Sequence, residues 1–361
     1  MLTIGGATPE AREVMANALR GKPGFDHEYP MIFGKGARGR VVSLSEDDAV
    51  RSACAMLVRD VRCPEARLRL GLIGSVATKA AARGRGHAGR VLAHAEAELA
   101  ERGCLASLLW ADDESFYEAH GYQRVGAEED FLLERALRPH LGPTDAVRPA
   151  CANDAAAIHQ LYRGHSRRTI RSSAETRALL DGPGMRVFVH EGSDGITAYT
   201  CLGRGGDLAS VIHEWAGETD GLLACLAATL DAVPGTEPLF LMAPLELPGE
   251  DEGGLPHCLR EVGVPSAPGV LAMGRLLRAD IAERHLREAC TMPRALEFTR
   301  AGDGWSLGGP NGTVQAGAGE LLGWLLAPRA ERGAIRLLEH GTGLGFPGLP
   351  MRPFLWGLDS I

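Results

Sequence analysis

A mixed α/β (α+β) fold is predicted for this chain by three observations. Strands alternate with helices, a glycine-rich turn joins one such pair, and a weak internal repeat follows. The central stretch is residues 76–89, V-A-T-K-A-A-A-R-G-R-G-H-A-G. Before it, Leu68, Leu70 and Leu72 alternate with Arg67, Arg69 and Gly71 and lead to Ile73, the period-two pattern of a strand with one buried face. After it, Val91, Leu92, Ala95 and Leu99 recur at helical spacing, and Gly103 stands where a helix stops. The glycines therefore fall at the N-terminus of a helix.

That position has a physical meaning. The first N–H groups of a helix lack internal partners, and the helix dipole places partial positive charge there. Glycines admit a phosphate close to the backbone, and Arg83 and Arg85 add fork-shaped fixed charge. A pyrophosphate cradle over residues 84–89 is the expectation. No Gly-Lys-Ser/Thr follows, which excludes a Walker loop, and the glycine spacing is not a clean dinucleotide fingerprint. The stretch fits R/Q-x-x-G-x-G/A as Arg83-x-x-Gly86-x-Ala88. It resembles the acetyl-CoA pyrophosphate loop of the GNAT superfamily of acyltransferases.

The segment 105–126 carries a second likeness. Residues 105–110 read as a buried strand, after which Asp112, Asp113 and Glu114 place acids at the start of a helix running through Phe116 to Tyr122. Phe-Tyr-x-x-x-Gly-Tyr resembles a GNAT signature whose tyrosine lies beside the coenzyme sulfur. The resemblance implies that Tyr117, 34 residues beyond Arg83, is the general acid that protonates the departing thiolate. A phenol suits that task once the thiolate forms within hydrogen-bond reach. A core aromatic at a helix start is the other reading.

From the beginning of the chain, residues 8–20 form a helix capped by Thr8 with Pro9 in its first turn. The loop 21–39 holds Asp26, His27 and Glu28, candidate amine contacts because the superfamily often builds its acceptor wall there; a solvated acidic turn is the alternative. Strands at 40–45 and 52–61 flank the turn Glu46-Asp47-Asp48. Residues 41–54 match 187–200 in pattern, strand, acidic turn, strand, and 209–216 stand where 70–77 stood. An amphipathic helix with Ala156, Ile158, Leu161 and Tyr162 opens this second copy. Its turn, 217–224, has no arginine and two acids, which would repel a phosphate. Leu259 replaces the tyrosine. The second copy is thus read as degenerate, with His213 and Glu214 edging the acceptor pocket or simply alternating along a strand.

Residues 138–144 form a breaker-rich linker. The third segment has a helix over about 279–290, strands around 296–307 and 313–316 with turn signals at Gly302-Asp-Gly304 and Pro310-Asn-Gly312, and an apolar helix at 321–326. The terminus, 345–361, is too apolar for a frayed tail and is expected to be buried.

An active GNAT copy, a degenerate copy and a small α+β segment resemble the enhanced-intracellular-survival family of acetyltransferases, whose third domain is similar to a sterol carrier protein. The implied domains are 1–140, 141–278 and 279–361. By position, Val76, Ala77 and Thr78 would hold the pantetheine through backbone groups. Arg83, Gly84, Arg85, Gly86, His87, Ala88 and Gly89 would take the pyrophosphate, and Asp112 and Asp113 would line the coenzyme. The family's base is its own C-terminal carboxylate, here that of Ile361; His87 and His120 are the other base candidates. The chain departs from the family at Ala80, where a proline is usual, in its short third segment, and in ending on isoleucine rather than an aromatic residue.

The expected reaction is direct acetyl transfer from acetyl-CoA to the amine of a small, cationic, aminoglycoside-like acceptor in a ternary complex. A backbone N–H near 76–78 serves as oxyanion donor, and no metal is required. Acetylation of a protein lysine or N-terminus, and a non-catalytic protein binding CoA or an apolar ligand, remain open. The eight cysteines lack any C-x-x-C pair and so suggest neither a zinc site nor a disulfide framework. A net charge of −8 without a basic stripe argues against nucleic acid and suits a cationic acceptor. No segment has membrane length and no leader is evident, so the expectation is a cytoplasmic protein with no membrane partner. Multidomain relatives tend to assemble, so a homo-oligomer is left open.

Overall fold

The fold is seen in a computed structural model that describes residues 1–20, 25–235, 237–245, 253–327 and 332–361, with the side chains of Phe25 and Asp26 outside that description. The chain begins with β1 (Leu2–Gly5), α1 (Pro9–Leu19) and the short α2 (Pro30–Phe33). Thr8 caps α1, its Oγ1 accepting from the Ala11 N–H at 3.2 Å. Pro9 sits where a missing N–H leaves nothing unpaired. Next come β2 (Arg40–Glu46), β3 (Ala49–Arg62) and β4 (Arg67–Thr78). The turn between β2 and β3 places Asp47 and Asp48 at positive φ, which aspartate tolerates better than most residues.

The glycine turn leads into α3 (His87–Glu101), followed by β5 (Ala106–Leu109), α4 (Glu114–Glu118) and β6 (Gln123–Val125). Then follow β7 (Glu128–Leu133), β8 (Val147–Pro149), α5 (Ala155–Tyr162), β9 (Arg168–Thr169) and α6 (Ser173–Leu180). The chain continues through β10 (Arg186–Gly192), β11 (Gly195–Leu202), β12 (Val211–Gly217), α7 (Thr219–Ala232) and β13 (Leu239–Pro244). It closes with α8 (Leu255–Glu261), β14 (Ser266–Gly269) and β15 (Ala272–Leu276).

The two larger sheets share a pattern of pairing. In sheet one, β4 pairs with β3 antiparallel and with β5 parallel; in sheet two, β12 pairs with β11 antiparallel and with β13 parallel. Strands also cross between the two sheets. Sheet one runs β1-β2-β3-β4-β5-β15-β6, so β15, late in the chain, lies between β5 and β6. Sheet two runs β14-β7-β13-β12-β11-β10-β8, so β7 lies between β13 and β14. Each sheet therefore includes a strand from the stretch of sequence that otherwise builds the other sheet. The crossing is reinforced by Arg275 on β15, which pairs with the buried Glu96 of α3.

The third segment comprises α9 (Ala279–Ala289), a sheet of β16 (Glu297–Ala301), β17 (Gly304–Gly309) and β18 (Gly312–Ala316), and the helices α10 (Ala318–Leu326) and α11 (Arg332–Thr342). The expected strand pairing and turn signals here correspond to two hairpins, the first turned at Gly302, which adopts φ 58°. After α11 the chain runs extended through the interior: Phe346, Leu349, Phe354, Leu355, Trp356 and Leu358 are all buried. The terminal segment is part of the core. Among the described residues no helix is long and apolar enough to cross a membrane.

Candidate active site

The site forms where β4 and β5 part. Their parallel pairing covers Leu70, Gly71 and Leu72 against Ala106, Ser107 and Leu108 and stops there. On its other side β4 bulges: Ala53 pairs with Ala77 and Ala55 with Gly74, so Ser75 and Val76 stand against Cys54 alone. Ser75 takes φ 54°, a conformation costing a serine roughly 1–2 kcal/mol. Such a bulge re-aims backbone groups at the strand's end, as functional sites often require. The carbonyl of Ala77 accepts from Ser52 Oγ at 2.9 Å, and Thr78 Oγ1 lies 2.9 Å from the same hydroxyl, which ties this end of β4 to β3.

Beyond Thr78 a 3-10 turn, Ala80–Ala82, precedes the glycine turn. Gly84 and Gly86 adopt φ 75° and 73°, and a Cβ on either would meet nothing within 4 Å. Conformation, not space, demands glycine there. Arg83, Gly84, Arg85 and Gly86 are exposed. Gly86 is the N-cap of the 15-residue α3, no side chain caps it, and its first turn carries no acid. The Arg90 N–H is the first to find a helical acceptor, the Gly86 carbonyl at 3.2 Å, so the N–H groups of His87, Ala88 and Gly89 precede the ladder. This open, positive, unblocked turn fits a diphosphate.

The side chain of His87 does not share in the cradle. It is buried and lies 3.4 Å from Glu46 Oε2, leaving the residue only its backbone for an anion. Gly89 serves packing as well: a Cβ there would sit 2.7 Å from His120 Nε2. His120 donates through Nδ1 to the Phe116 carbonyl at 2.7 Å, which holds its ring against α3. Asp113 caps α4, Oδ1 accepting from the Ser115 N–H at 3.1 Å, whereas Asp112 is exposed. The helix expected to run to Tyr122 ends at Glu118, and Gly121 at φ 83° turns the chain into β6.

Tyr117 packs edge-on to Phe116 and Tyr122, at centroid distances of 5.0 and 5.8 Å, on the face of sheet one that carries Cys54 and Ile73 and packs against Val91 of α3. Among the described residues its hydroxyl has no hydrogen-bond partner. Burial, with the neighbouring Cys54 and Asp113 adding to it, pushes its phenol up to about 12, so it holds its proton at neutral pH. Ile361 lies on the opposite face, packed with the cluster that includes Ala55, Leu70 and Leu72. A Cβ on Gly74 would fall 2.5 Å from an oxygen of the Ile361 carboxylate and 2.7 Å from its carbon. The chain terminus therefore lies directly over β4 at the edge of the bulge. Gly74 was the sequence signal missed, because a glycine inside a strand often marks another backbone in close approach.

The remaining candidates are held elsewhere. Glu28 is buried and paired with Arg20 at 2.9 Å, and its carbonyl accepts from Arg204 Nε at 3.1 Å. His27 is exposed on the same turn, and the side chain of Asp26 lies outside the described residues. His213 and Glu214, expected at a pocket edge, have 0% exposure. His213 Nε2 donates to the Gly203 carbonyl at 3.0 Å, and Glu214 takes both arms of Arg171 at 2.9 and 2.6 Å. Their chemistry is engaged inside the protein, by partners too far along the chain to be read from the strand alone.

Residues 12–125 match the family model of the acetyltransferase (GNAT) domain. The chain carries an acyltransferase domain. Around this GNAT domain the whole chain is similar in fold to a GCN5-related N-acetyltransferase from Kribbella flavida, at 17% identity and a TM-score of 0.62, with 100% of both chains covered. A GCN5-related N-acetyltransferase from Anabaena variabilis ATCC 29413 matches at 13% identity and a TM-score of 0.63, again over 100% of both. Eis1 from Mycobacterium abscessus matches at 15% identity and 0.55, over 99% of this chain and 100% of that one. No curated protein matches the chain. At these identities the structural likeness speaks for the fold, and the GNAT match for the domain that holds the glycine turn, Tyr117 and the β4 bulge.

Proposed function

We propose that the protein is an acetyl-CoA-dependent N-acetyltransferase acting on the amine of a small, cationic, aminoglycoside-like acceptor. The observation that carries this reading is the juxtaposition at β4. An exposed anion cradle opens α3, a protonated phenol lies on one face of the bulge, and the chain terminus lies on the other. Acetyl-CoA would supply an acyl group already activated as a thioester. Arg83, Arg85 and the N–H groups at the start of α3 would grip its diphosphate. Val76, Ala77 and Thr78, beyond the last pairing of β4 with β5, would present backbone groups to the pantetheine, one N–H facing the thioester oxygen.

In this reading the Ile361 carboxylate takes the proton of the attacking amine, and the Tyr117 hydroxyl gives one to the departing thiolate. The two groups approach from opposite faces of sheet one, which suits an acceptor entering from the side of the tail. Holding both reactants in the cleft supplies much of the rate. We read 279–361 as the sterol-carrier-like part, with β7 and β15 exchanged between the first two units. Thiol release from acetyl-CoA against a panel of aminoglycosides, polyamines and lysine peptides tests the assignment. Turnover with polyamine or aminoglycoside but not peptide supports it, and turnover with peptides alone overturns the acceptor class.

A further inference from the structure

The second copy keeps the parting strands but not an opening between them. Strand β12 pairs with β13 only at Val211–Phe240 and Ile212–Leu241, then separates from it as β4 does from β5. Here the gap is closed by Trp215, whose Nε1 donates across it to the Met242 carbonyl at 3.0 Å. Trp356, from the terminal segment, stands edge-on to Trp215 at 5.3 Å and stacks on His165 at 4.2 Å. Its own Nε1 donates to the Arg167 carbonyl at 3.0 Å, and the residue is fully buried. The chain's own tail thus packs against the parting strands of this sheet.

Three residues on, Asp359 is fixed from both halves. Its Oδ2 accepts from Tyr162 at 2.8 Å and from Arg171 Nη1 at 3.3 Å, and Arg59 of β3 lies 3.8 Å from Oδ1. Asp359, Arg171 and Glu214 have no solvent-exposed side-chain surface. Arg204 adds a second hold, Nη2 donating to the Ser360 carbonyl at 2.9 Å and Nη1 to the Gly357 carbonyl. A buried ion cluster of this kind is a poor source of stability, because desolvation consumes most of its Coulomb energy. It does impose one arrangement, since a removed partner leaves a charge stranded. Two residues span at most about 7 Å, so an immobile Asp359 confines the terminus to a small volume.

We propose that the second copy is a receptor for the chain's own C-terminal segment, and that Asp359, Arg171 and Tyr162 are positioning residues that hold the Ile361 carboxylate over Gly74. This rests on the reading that the terminal carboxylate takes the amine proton. The test compares three full-length proteins with the wild type: one whose Ile361 is made a carboxamide by thioester ligation, Asp359→Asn, and Tyr162→Phe. Each is measured for kcat, KM for acetyl-CoA, and the rate at which a carboxypeptidase releases Ile361 from the unmodified termini.

The carboxamide should lower kcat by about 10² or more. Asp359→Asn should lower kcat by about the same factor as a misplaced reacting group, leave KM for acetyl-CoA unchanged, and speed release of Ile361. Tyr162→Phe should do the same to a smaller extent. It keeps the ring, which lies 3.6 Å beneath the Arg171 guanidinium, so it decides the matter if Asp359→Asn does not fold. A carboxamide with full activity overturns the base reading on which the proposal stands. A carboxamide that loses activity beside Asp359→Asn and Tyr162→Phe proteins that retain it, with Ile361 still protected, keeps that reading and overturns the positioning.

Discussion

Replacing Gly74 by alanine tests the placement of the chain terminus without touching the glycine turn. Gly74 lies within β4 opposite Ala55, and its φ is not in the left-handed region, so alanine suits the backbone. By itself the change should be neutral or stabilising by about 0.4–1 kcal/mol through the unfolded state. Its methyl group, however, would lie 2.5 Å from an oxygen of the Ile361 carboxylate, where ordinary contact begins at 3.4 Å, so the terminus must retreat by about 0.9 Å. A displacement of about 1 Å in a reacting group can lower the rate by about 10², or ~2.7 kcal/mol in activation free energy. The assay is steady-state thiol release at saturating acetyl-CoA, read beside a thermal melt. A fall in kcat with unchanged KM for acetyl-CoA and an unchanged or higher Tm is expected. Full kcat in a folded Gly74→Ala protein would refute any role for the terminus in the reaction.

Other predictions bear on the remaining groups. Tyr117→Phe should lower kcat by ~10²-fold or more while calorimetry still detects CoA. Because burial holds the Tyr117 phenol up at about 12, the wild-type rate should show no alkaline loss from this group through pH 10. Arg83→Ala should raise KM for acetyl-CoA by about tenfold, the loss of a charge-assisted contact of ~1.5 kcal/mol, with kcat retained. Burial also pushes His165 and His213 down to about 4, the latter with Arg204 adding to it. Their folded pKa lies below the unfolded one, so their contribution to stability is complete above about 6.5 and is lost as pH falls toward 4. Each amounts to ~3 kcal/mol, and a melting series should show Tm dropping through this window, with carboxypeptidase releasing Ile361 faster at its acid end. A Tm independent of pH from 7 to 4 would contradict that packing.

Much of the stretch from β4 to α3 was legible because its signals are local. The alternation at 68–73, the turn 83–89 and the helix after it each depend on residues within one or two turns of chain, and β4, the cradle and α3 follow from them. The hairpins turned at Gly302 and Gly312 were legible for the same reason. The exchange of β7 and β15 was not, since a short strand carries no mark of which sheet will take it. Nor was the interior fate of Glu28, His213 and Glu214. An acid or imidazole reads as exposed until its partner is known, and Arg20, Gly203 and Arg171 become partners only through the tertiary fold. The terminal segment was legible as buried, from its apolar residues, but its seat on Trp215 and Arg171 belongs to long-range packing.

The claim beneath all of this is that the turn at 84–89 grips a coenzyme diphosphate. Isothermal titration of the full chain with CoA, alongside dephospho-CoA and pantetheine, addresses it directly. The account predicts saturable heat with CoA and with dephospho-CoA, which retains the diphosphate, and far weaker binding of pantetheine, which lacks it. Equal binding of all three, or no heat with any, would contradict it.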